Sequence, residues 1–350
     1  MNTITINSTS VGLDFEPFII AELSGNHNQS LDRALAIVEE AHKAGVHALK
    51  LQTYTADTLT IDLAEREFLI DDPNSLWYGK SLYELYQQAH TPWDWHEPII
   101  NLCRNLGLIC FSTPFDETAV DFLESFNMPA YKVASFENNH LPLIKKIAKT
   151  QKTILLSTGT ATICDLSNAV NCARDAGCKD IILLKCTSSY PATPESSNLL
   201  TIPHMQDLFD CQVGLSDHTL GIGTALAGVA LGATVIEKHF TLSRSDKGVD
   251  SAFSLEPFEM KCLVEESKRA WQSLGSTNYG PTEQEKQSLI FKRSIYFIKD
   301  VNAGEKLSSE NIRIIRPGYG LSPKYYDLLI GRKVSTDTKR GTPLKWDNIL

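Results

Sequence analysis

Residues 235–241 read VIEKHFT: a β-branched start suited to a buried strand, then a glutamate, a lysine and a histidine in succession. Strand alternation divides the three, because Glu237 and His239 share one face while Lys238 points the other way. An apolar run that ends on ionisable groups is what a parallel barrel produces, since its active site collects at the carboxyl ends of its strands.

Working outward, seven other short apolar runs recur between segments of helical period. They are FIIAE (18–22), ALKLQ (48–52), LICFS (108–112), AYKVAS (130–135), TILLS (153–157), IILLKC (181–186) and VGLS (213–216). With TVIEKH (234–239) the count is eight, which closes a (β/α)₈ TIM barrel of the usual size. Ser30 is placed to cap the first helix and Gly45 to end it. The connection 53–107 is far longer than a βα loop needs, and its Trp77, Tyr78, Tyr83, Tyr86, Trp93 and Trp95 suggest a lid over one end of the barrel.

The expected domains are a catalytic barrel over 1–275, a polar Gly- and Pro-containing linker over 276–289, and a small β domain over 290–350. In the last, Asp300, Gly304, Leu307, Asn311 and Ile312 recur as Asp337, Gly341, Leu344, Asn348 and Ile349, always 37 residues on. That offset predicts two pseudo-symmetric halves.

Composition excludes several classes. Lys plus Arg number 33 against 42 Asp plus Glu, and a net charge of −9 disfavours nucleic acid or an anionic membrane as partner. No signal peptide or membrane span is legible, so a cytoplasmic protein is expected. The eight cysteines form no CxxC pair and are expected to be mostly buried free thiols.

Polar residues gather at the run ends: Glu22, Lys50, Gln52, Ser112, Thr113, Lys132, Ser135, Ser157, Thr158, Lys185, Ser188, Ser216, His218, Glu237 and His239. His218 and His239, from neighbouring strand ends, suit a divalent metal. Lys50 and Lys132, with Thr113, Ser135 and Ser157, offer donors for a phosphate and a carboxylate, although a Schiff-base lysine fits either position equally well. His27, in SGNHN, is expected at the same barrel end, orienting substrate.

The strings AELSGNHNQS, LKLQTY, FSTPF, YKVASFEN, LSTGT, KCTSSYPA, GLSDHT and VIEKHFT resemble those of the sialic acid synthases, phosphoenolpyruvate-condensing barrel enzymes. The stretch KRSIYFIKDVNAGEKLSSENIRIIRPGYG is similar to their antifreeze-like (SAF) domain, a β-clip. The resemblance implies condensation of phosphoenolpyruvate with an amino sugar, assisted by Mn²⁺ or, in its place, Mg²⁺ or Co²⁺. His218 and His239 match the metal ligands. Glu22 and Gln52 match groups beside the reacting centre, with His27 and Glu237 near them. Lys50, Thr113, Lys132, Ser135, Ser157, Ser188 and Ser216 match phosphoenolpyruvate-binding positions. Tyr190, Asp250 and Arg316 match sugar contacts, Arg316 from the partner of a domain-swapped homodimer.

Within the family, YTADTLTID (54–62), SLWYGKSLYELYQQAHTPWDWH (75–96) and GVDSAFSLEP (248–257) look most like the branch that uses a diacetamido-trideoxyhexose. The branches making N-acetylneuraminic or legionaminic acid are the alternatives. Ser188 is a departure, standing where the neuraminate branch has asparagine. Trp77 and Trp93 are expected to cover the sugar's methyl group.

Overall fold

The structure, a computed structural model, describes residues 2–350, which divide into two compact units at Gly275/Ser276. A short antiparallel hairpin, β1 (Ile4–Ile6) and β2 (Thr9–Val11), opens the first unit. Eight parallel strands follow: β3 (Phe18–Glu22), β4 (Ala48–Thr53), β5 (Ile109–Pro114), β6 (Ala130–Val133), β7 (Thr153–Ser157), β8 (Ile181–Cys186), β9 (Gln212–Ser216) and β10 (Val235–His239). They close into a barrel because β10 pairs with β3 in parallel, from Val235 opposite Phe18 to His239 opposite Glu22. Next door Glu22 lies opposite Lys50, and Gln52 opposite Thr113. Register therefore sets His239, Glu22 and Lys50 at one level, before any side chain is considered.

The helices between strands pack one apolar face on the barrel. In the first, Leu31–Ala44, the Ser30 hydroxyl accepts from Arg33 N at 3.3 Å, and Gly45 ends the helix at φ 83°. Ala34, Ile37, Val38, Ala41 and Ala44 line its buried side at helical spacing. Among the elements not read from the sequence, two lie close to the barrel. The helix Thr201–Phe209 fills the crossover before β9, and the β1–β2 hairpin covers the opposite end of the barrel from the strand tips. Ile4, Ile6 and Val11 of the hairpin join the barrel's core, and Gln212, the first residue of β9, donates to Asn2 O at 2.9 Å.

The long connection after β4 carries the helices Ala56–Leu59, Leu82–Ala89 and His96–Leu106. Among the described residues no helix is long and apolar enough to cross a membrane. All eight cysteines are free and five are buried; Cys164 is exposed, so the buried-thiol expectation does not extend to it.

In the second unit β11 (Ser294–Phe297) pairs antiparallel with β12 (Ile312–Ile315) over a small core that includes Ile295, Phe297, Leu307 and Leu344. The 37-residue repeat acquires a physical form here. Asp300 accepts from Arg340 N at 2.9 Å, and Asp337 accepts reciprocally from Ala303 N at 2.8 Å. Val301 and Thr338 exchange backbone bonds in both directions. Asn311 and Asn348 each accept from the amide three residues before them, at 2.8 Å in both cases. Gly304 and Gly341 adopt φ of 82° and 85°, a conformation the matching turns reserve for glycine.

Candidate functional site

At the carboxyl ends of the barrel strands lies a cavity of ≈ 510 Å³. Its floor holds charges that are almost wholly out of water: Glu22 is 4% exposed, Lys50 2%, Lys132 2% and Glu237 2%. Lys50 Nζ stands 3.1 Å from Glu22 Oε2 and donates to Glu237 Oε1 at 2.8 Å. Gln52 donates to the other Glu22 oxygen at 2.7 Å, and Ser216 donates to Glu237 at 3.1 Å. Lys132 Nζ is 3.9 Å from Glu237 and donates to Ser157 Oγ at 2.6 Å. One glutamate on β10 thus faces two ammonium groups, one from β4 two strands away and one from β6 across the barrel.

These contacts tune the titrating groups. Burial alone would raise Glu22, but His239, Lys50 and the Gln52 amide outweigh it and hold the carboxylate well below its usual range. Burial also works against the Lys50 ammonium, yet Glu22 and Glu237 raise it overall. For Lys132 burial wins, with Lys50 adding to it, and the amine is lowered despite Glu237. The two lysines therefore differ: Lys50 is a fixed cation, and Lys132 gives up its proton more easily.

The histidines face each other across the rim, with ring centroids 5.3 Å apart. His239 Nε2 is 3.2 Å from Glu22 Oε2, and its Nδ1, 3.8 Å from Asp250 Oδ2, is buried without a hydrogen-bond partner. Burial lowers the His239 pKa more than Glu22 and Asp250 raise it. His218 Nδ1 lies 3.0 Å from Thr187 O, which leaves Nε2 free for another partner. Burial lowers His218 too, but the Cys186 thiol, the Thr187 carbonyl and Glu22 reverse the shift and raise it. A divalent cation fits two such imidazoles, one with an orphaned nitrogen and one whose far nitrogen is aimed by its near one. No cluster of three or more protein ligands occurs among the described residues, so water or substrate oxygens would complete the shell.

Charge balance points the same way. Two lysines face the carboxylates of Glu22, Glu237 and Asp250 across the cavity, and Glu137 adds a carboxyl that burial raises to about 7, so the cavity has no surplus of positive charge. An anionic ligand needs additional positive charge there.

Ser135, Ser157, Ser188, Ser216, Tyr190 and Asp250 all line the cavity with the lysines and histidines. Gly159 lets Ser135 and Ser188 converge, since a Cβ at that position would collide with both. Thr113 lies beside Gln52 in register, its hydroxyl buried and unpartnered. Arg316 is exposed on the second unit.

Several expectations are corrected. His27 does not reach the cavity: its ring is fully buried, Nδ1 accepts from Gln29 N at 3.1 Å, Nε2 is 3.4 Å from Thr91 Oγ1, and Trp95 packs edge-on against it. The 3₁₀ turn Ser24–His27 rotates it away from the strand's line. Lys185 also faces outward, donating to Cys186 O at 3.0 Å, and Ser112 bonds Thr53 at 2.6 Å behind the barrel wall. Trp93 is not in the wall either; it stacks on Phe122 and donates to Tyr54 O at 3.3 Å. Trp77, by contrast, lines the cavity.

Tyr86 of the expected aromatic lid lines the cavity as well, whereas sequence reasoning missed Cys186, Glu137, Tyr54 and Phe115, which also line it. Alternation along β8 could have found Cys186, because Lys185 and Cys186 must face opposite ways. Burial would raise its thiol, but His218 outweighs that and lowers it to about 7. Glu137 follows β6 in a short 3₁₀ turn, where strand parity carries no information.

Lys238 behaves as alternation predicts. It points out of the barrel and donates to Asp217 at 2.9 Å, Thr219 O at 2.6 Å and Gly221 O at 2.9 Å. Lys238→Ala would strand Asp217 in the interior at a cost of about 3–5 kcal/mol. Chemical denaturation should read that loss, and Lys238→Met with Asp217→Asn should recover most of it. A second prediction concerns Glu137, which burial raises to about 7 against Lys132's opposing pull. A carboxyl whose folded pKa exceeds its ordinary value favours the fold at low pH and loses that contribution as pH rises through about 7. The melting temperature of Glu137→Gln relative to the parent should therefore rise between pH 5 and 8, whereas a pH-independent difference would contradict the burial argument.

Residues 37–279 match the NeuB family and residues 292–350 the SAF domain. The chain is 43% identical to the pseudaminic acid synthase of Campylobacter jejuni serotype O:2 over 95% of its own length and 96% of that protein's. Identity to the pseudaminic acid synthase of Helicobacter pylori is also 43%, over 95% and 98%. Among solved structures, the N-acetylneuraminic acid synthetase of Leptospira borgpetersenii superposes with a TM-score of 0.74 at 29% identity, covering 82% of this chain and 95% of that one.

Proposed function

The chain belongs to the NeuB family, and on that premise we propose that it is the transferase that condenses phosphoenolpyruvate with 2,4-diacetamido-2,4,6-trideoxy-L-altrose and water, giving pseudaminic acid and phosphate. The supporting observation is the pairing of Lys50 and Lys132 on the cavity floor amid the hydroxyls of Ser135, Ser157, Ser188 and Ser216. An enol phosphate carries a phosphate and a carboxylate at fixed separation, and two ammonium groups ringed by hydroxyl donors suit both.

In this proposal Lys50 and Lys132, with Thr113, Ser135, Ser157, Ser188 and Ser216, hold phosphoenolpyruvate at the floor. Tyr190 and Asp250 hold the open-chain sugar above it, its aldehyde toward the histidines. Carbon 3 of the enol attacks the aldehyde carbon, and the cationic centre left at carbon 2 is captured by water. Glu22, kept ionised by its neighbours and oriented by Gln52, positions that water and takes its proton. The resulting intermediate collapses to the keto acid, with phosphate leaving through C–O cleavage. Glu237 holds the two lysines in place and balances their charge while phosphoenolpyruvate is absent.

A divalent cation, Mn²⁺ before Mg²⁺ or Co²⁺, would be held by His218 and His239 and would polarise the aldehyde oxygen. It would also bring positive charge to a cavity that has no surplus of it. A domain-swapped homodimer, in which Arg316 of a second copy contacts an acetamido group, belongs to the same proposal, as does a cytoplasmic setting.

Phosphate release should be fastest with the diacetamido-trideoxyhexose, slower with N-acetylmannosamine and with the legionaminic precursor, and lost on chelation and restored by Mn²⁺. Preference for another sugar would replace the substrate. His218→Ala should lose metal-dependent turnover, and full activity in it would remove the metal assignment. Borohydride should trap no pyruvate adduct on Lys50 or Lys132; a trapped adduct would mean Schiff-base chemistry instead.

A further inference from the structure

The cavity has two unlike walls. Barrel strands supply the charges, whereas the segment between β4 and the helix His96–Leu106 supplies rings and aliphatic groups, among them Tyr54, Trp77, Leu85 and Tyr86. Phe115, just beyond β5, completes that side. The rings are fixed to one another: Tyr54 meets Phe115 edge-on at 5.0 Å and Tyr86 edge-on at 6.0 Å. Trp93 donates to the Tyr54 carbonyl from behind, so the wall cannot swing freely. Trp77 spends its one polar group on Val249 O at 3.1 Å and presents its ring next to Tyr190, centroids 6.0 Å apart. Val249 precedes Asp250, so the same bond ties the insertion to the loop after β10.

The ring faces of this wall give a hydroxyl group no partner for the water it would lose, the Trp77 N–H being already bonded to Val249 O, but they receive methyl groups well. Resting on the function proposed above, we propose that the face formed by Tyr54, Tyr86, Phe115 and Trp77 is the specificity surface of the enzyme: it receives the deoxygenated, acetamido-bearing end of the sugar and excludes sugars with a hydroxyl at carbon 6. The orientation follows from the floor. Phosphoenolpyruvate occupies the lysines and the aldehyde faces the histidines, so the remote end of the sugar is directed toward the rings.

Tyr86 is the position to test, being half-buried and supported by Tyr54. The probes are the 6-deoxy diacetamido sugar and its 6-hydroxy counterpart, each followed by phosphate release with saturating phosphoenolpyruvate. Tyr86→Ser should raise KM for the deoxy sugar about tenfold and narrow its advantage over the hydroxy sugar by a similar factor, the scale a methyl-sized pocket contact supports. KM for phosphoenolpyruvate should move less than about twofold in this variant. Tyr86→Phe, which keeps the ring, should retain both sugar values. An unchanged preference in Tyr86→Ser, equal losses for both substrates, or a Tyr86→Phe variant as impaired as Tyr86→Ser would overturn the assignment.

A phosphoenolpyruvate-induced rise in melting temperature, retained in each variant, separates an altered sugar site from failed folding. Phe115→Ser gives the same comparison from the other side of Tyr54. If the parent protein turns over neither sugar but accepts another acetamido aldose, the substrate proposed above fails by itself. The wall is then tested on the KM of that aldose against phosphoenolpyruvate in the same variants, where a selective rise supports it and equal changes overturn it.

Discussion

Lys50 sits between Glu22 and Glu237 at the bottom of the cavity, all three side chains almost wholly out of water, and the proposed chemistry rests on that triplet. Burying ions costs several kcal/mol each unless close partners compensate, and even a good pair contributes little net stability. Such a cluster is a poor way to hold a barrel together. Its value is a set of charges and donors fixed in advance, so that little reorganisation is needed when substrate arrives. The same contacts divide the roles of the two lysines, because Lys50 is held cationic by two close carboxylates while Lys132 stands 3.9 Å from Glu237 and donates to a serine.

The barrel's register makes the triplet possible. Glu22 and Lys50 are neighbours across β3 and β4, and Glu237 is the next inward-facing residue of β10 below His239, which pairs with Glu22. One residue away, Lys238 faces the helices and serves as a buried strut to Asp217. Under the proposed function, β10 uses both faces, one for chemistry and one for packing. Specificity is assigned to a different part of the chain, the insertion whose rings oppose the charged floor. Under the proposed function, that division would let the sugar-facing wall change with loop sequence without altering the condensing apparatus.

Much of this is legible in the sequence because barrel strands are short, apolar and strictly alternating. All eight runs coincide with barrel strands to within a residue or two, and VIEKHFT divides as its parity requires. The 37-residue repeat likewise corresponds to reciprocal bonds made by Asp300 and Asp337. Legibility ends where alternation ends. His27 and Glu137 lie in 3₁₀ turns, which direct one toward Trp95 and the other into the cavity with no periodic signal to tell them apart. Tyr54, Trp77 and Tyr86 meet only through tertiary packing of an irregular segment, so composition suggests an aromatic lid without choosing Trp77 over Trp93. The β1–β2 hairpin was missed because three-residue strands fall below the length at which a period can be recognised.

Phosphoenolpyruvate labelled with ¹⁸O at the bridging position tests the central claim most directly. Attack by carbon 3, capture of carbon 2 by water and loss of phosphate through C–O cleavage must carry the label into inorganic phosphate, released in step with a nine-carbon keto acid. Phosphate free of the label, or pyruvate in place of the condensed acid, would contradict it.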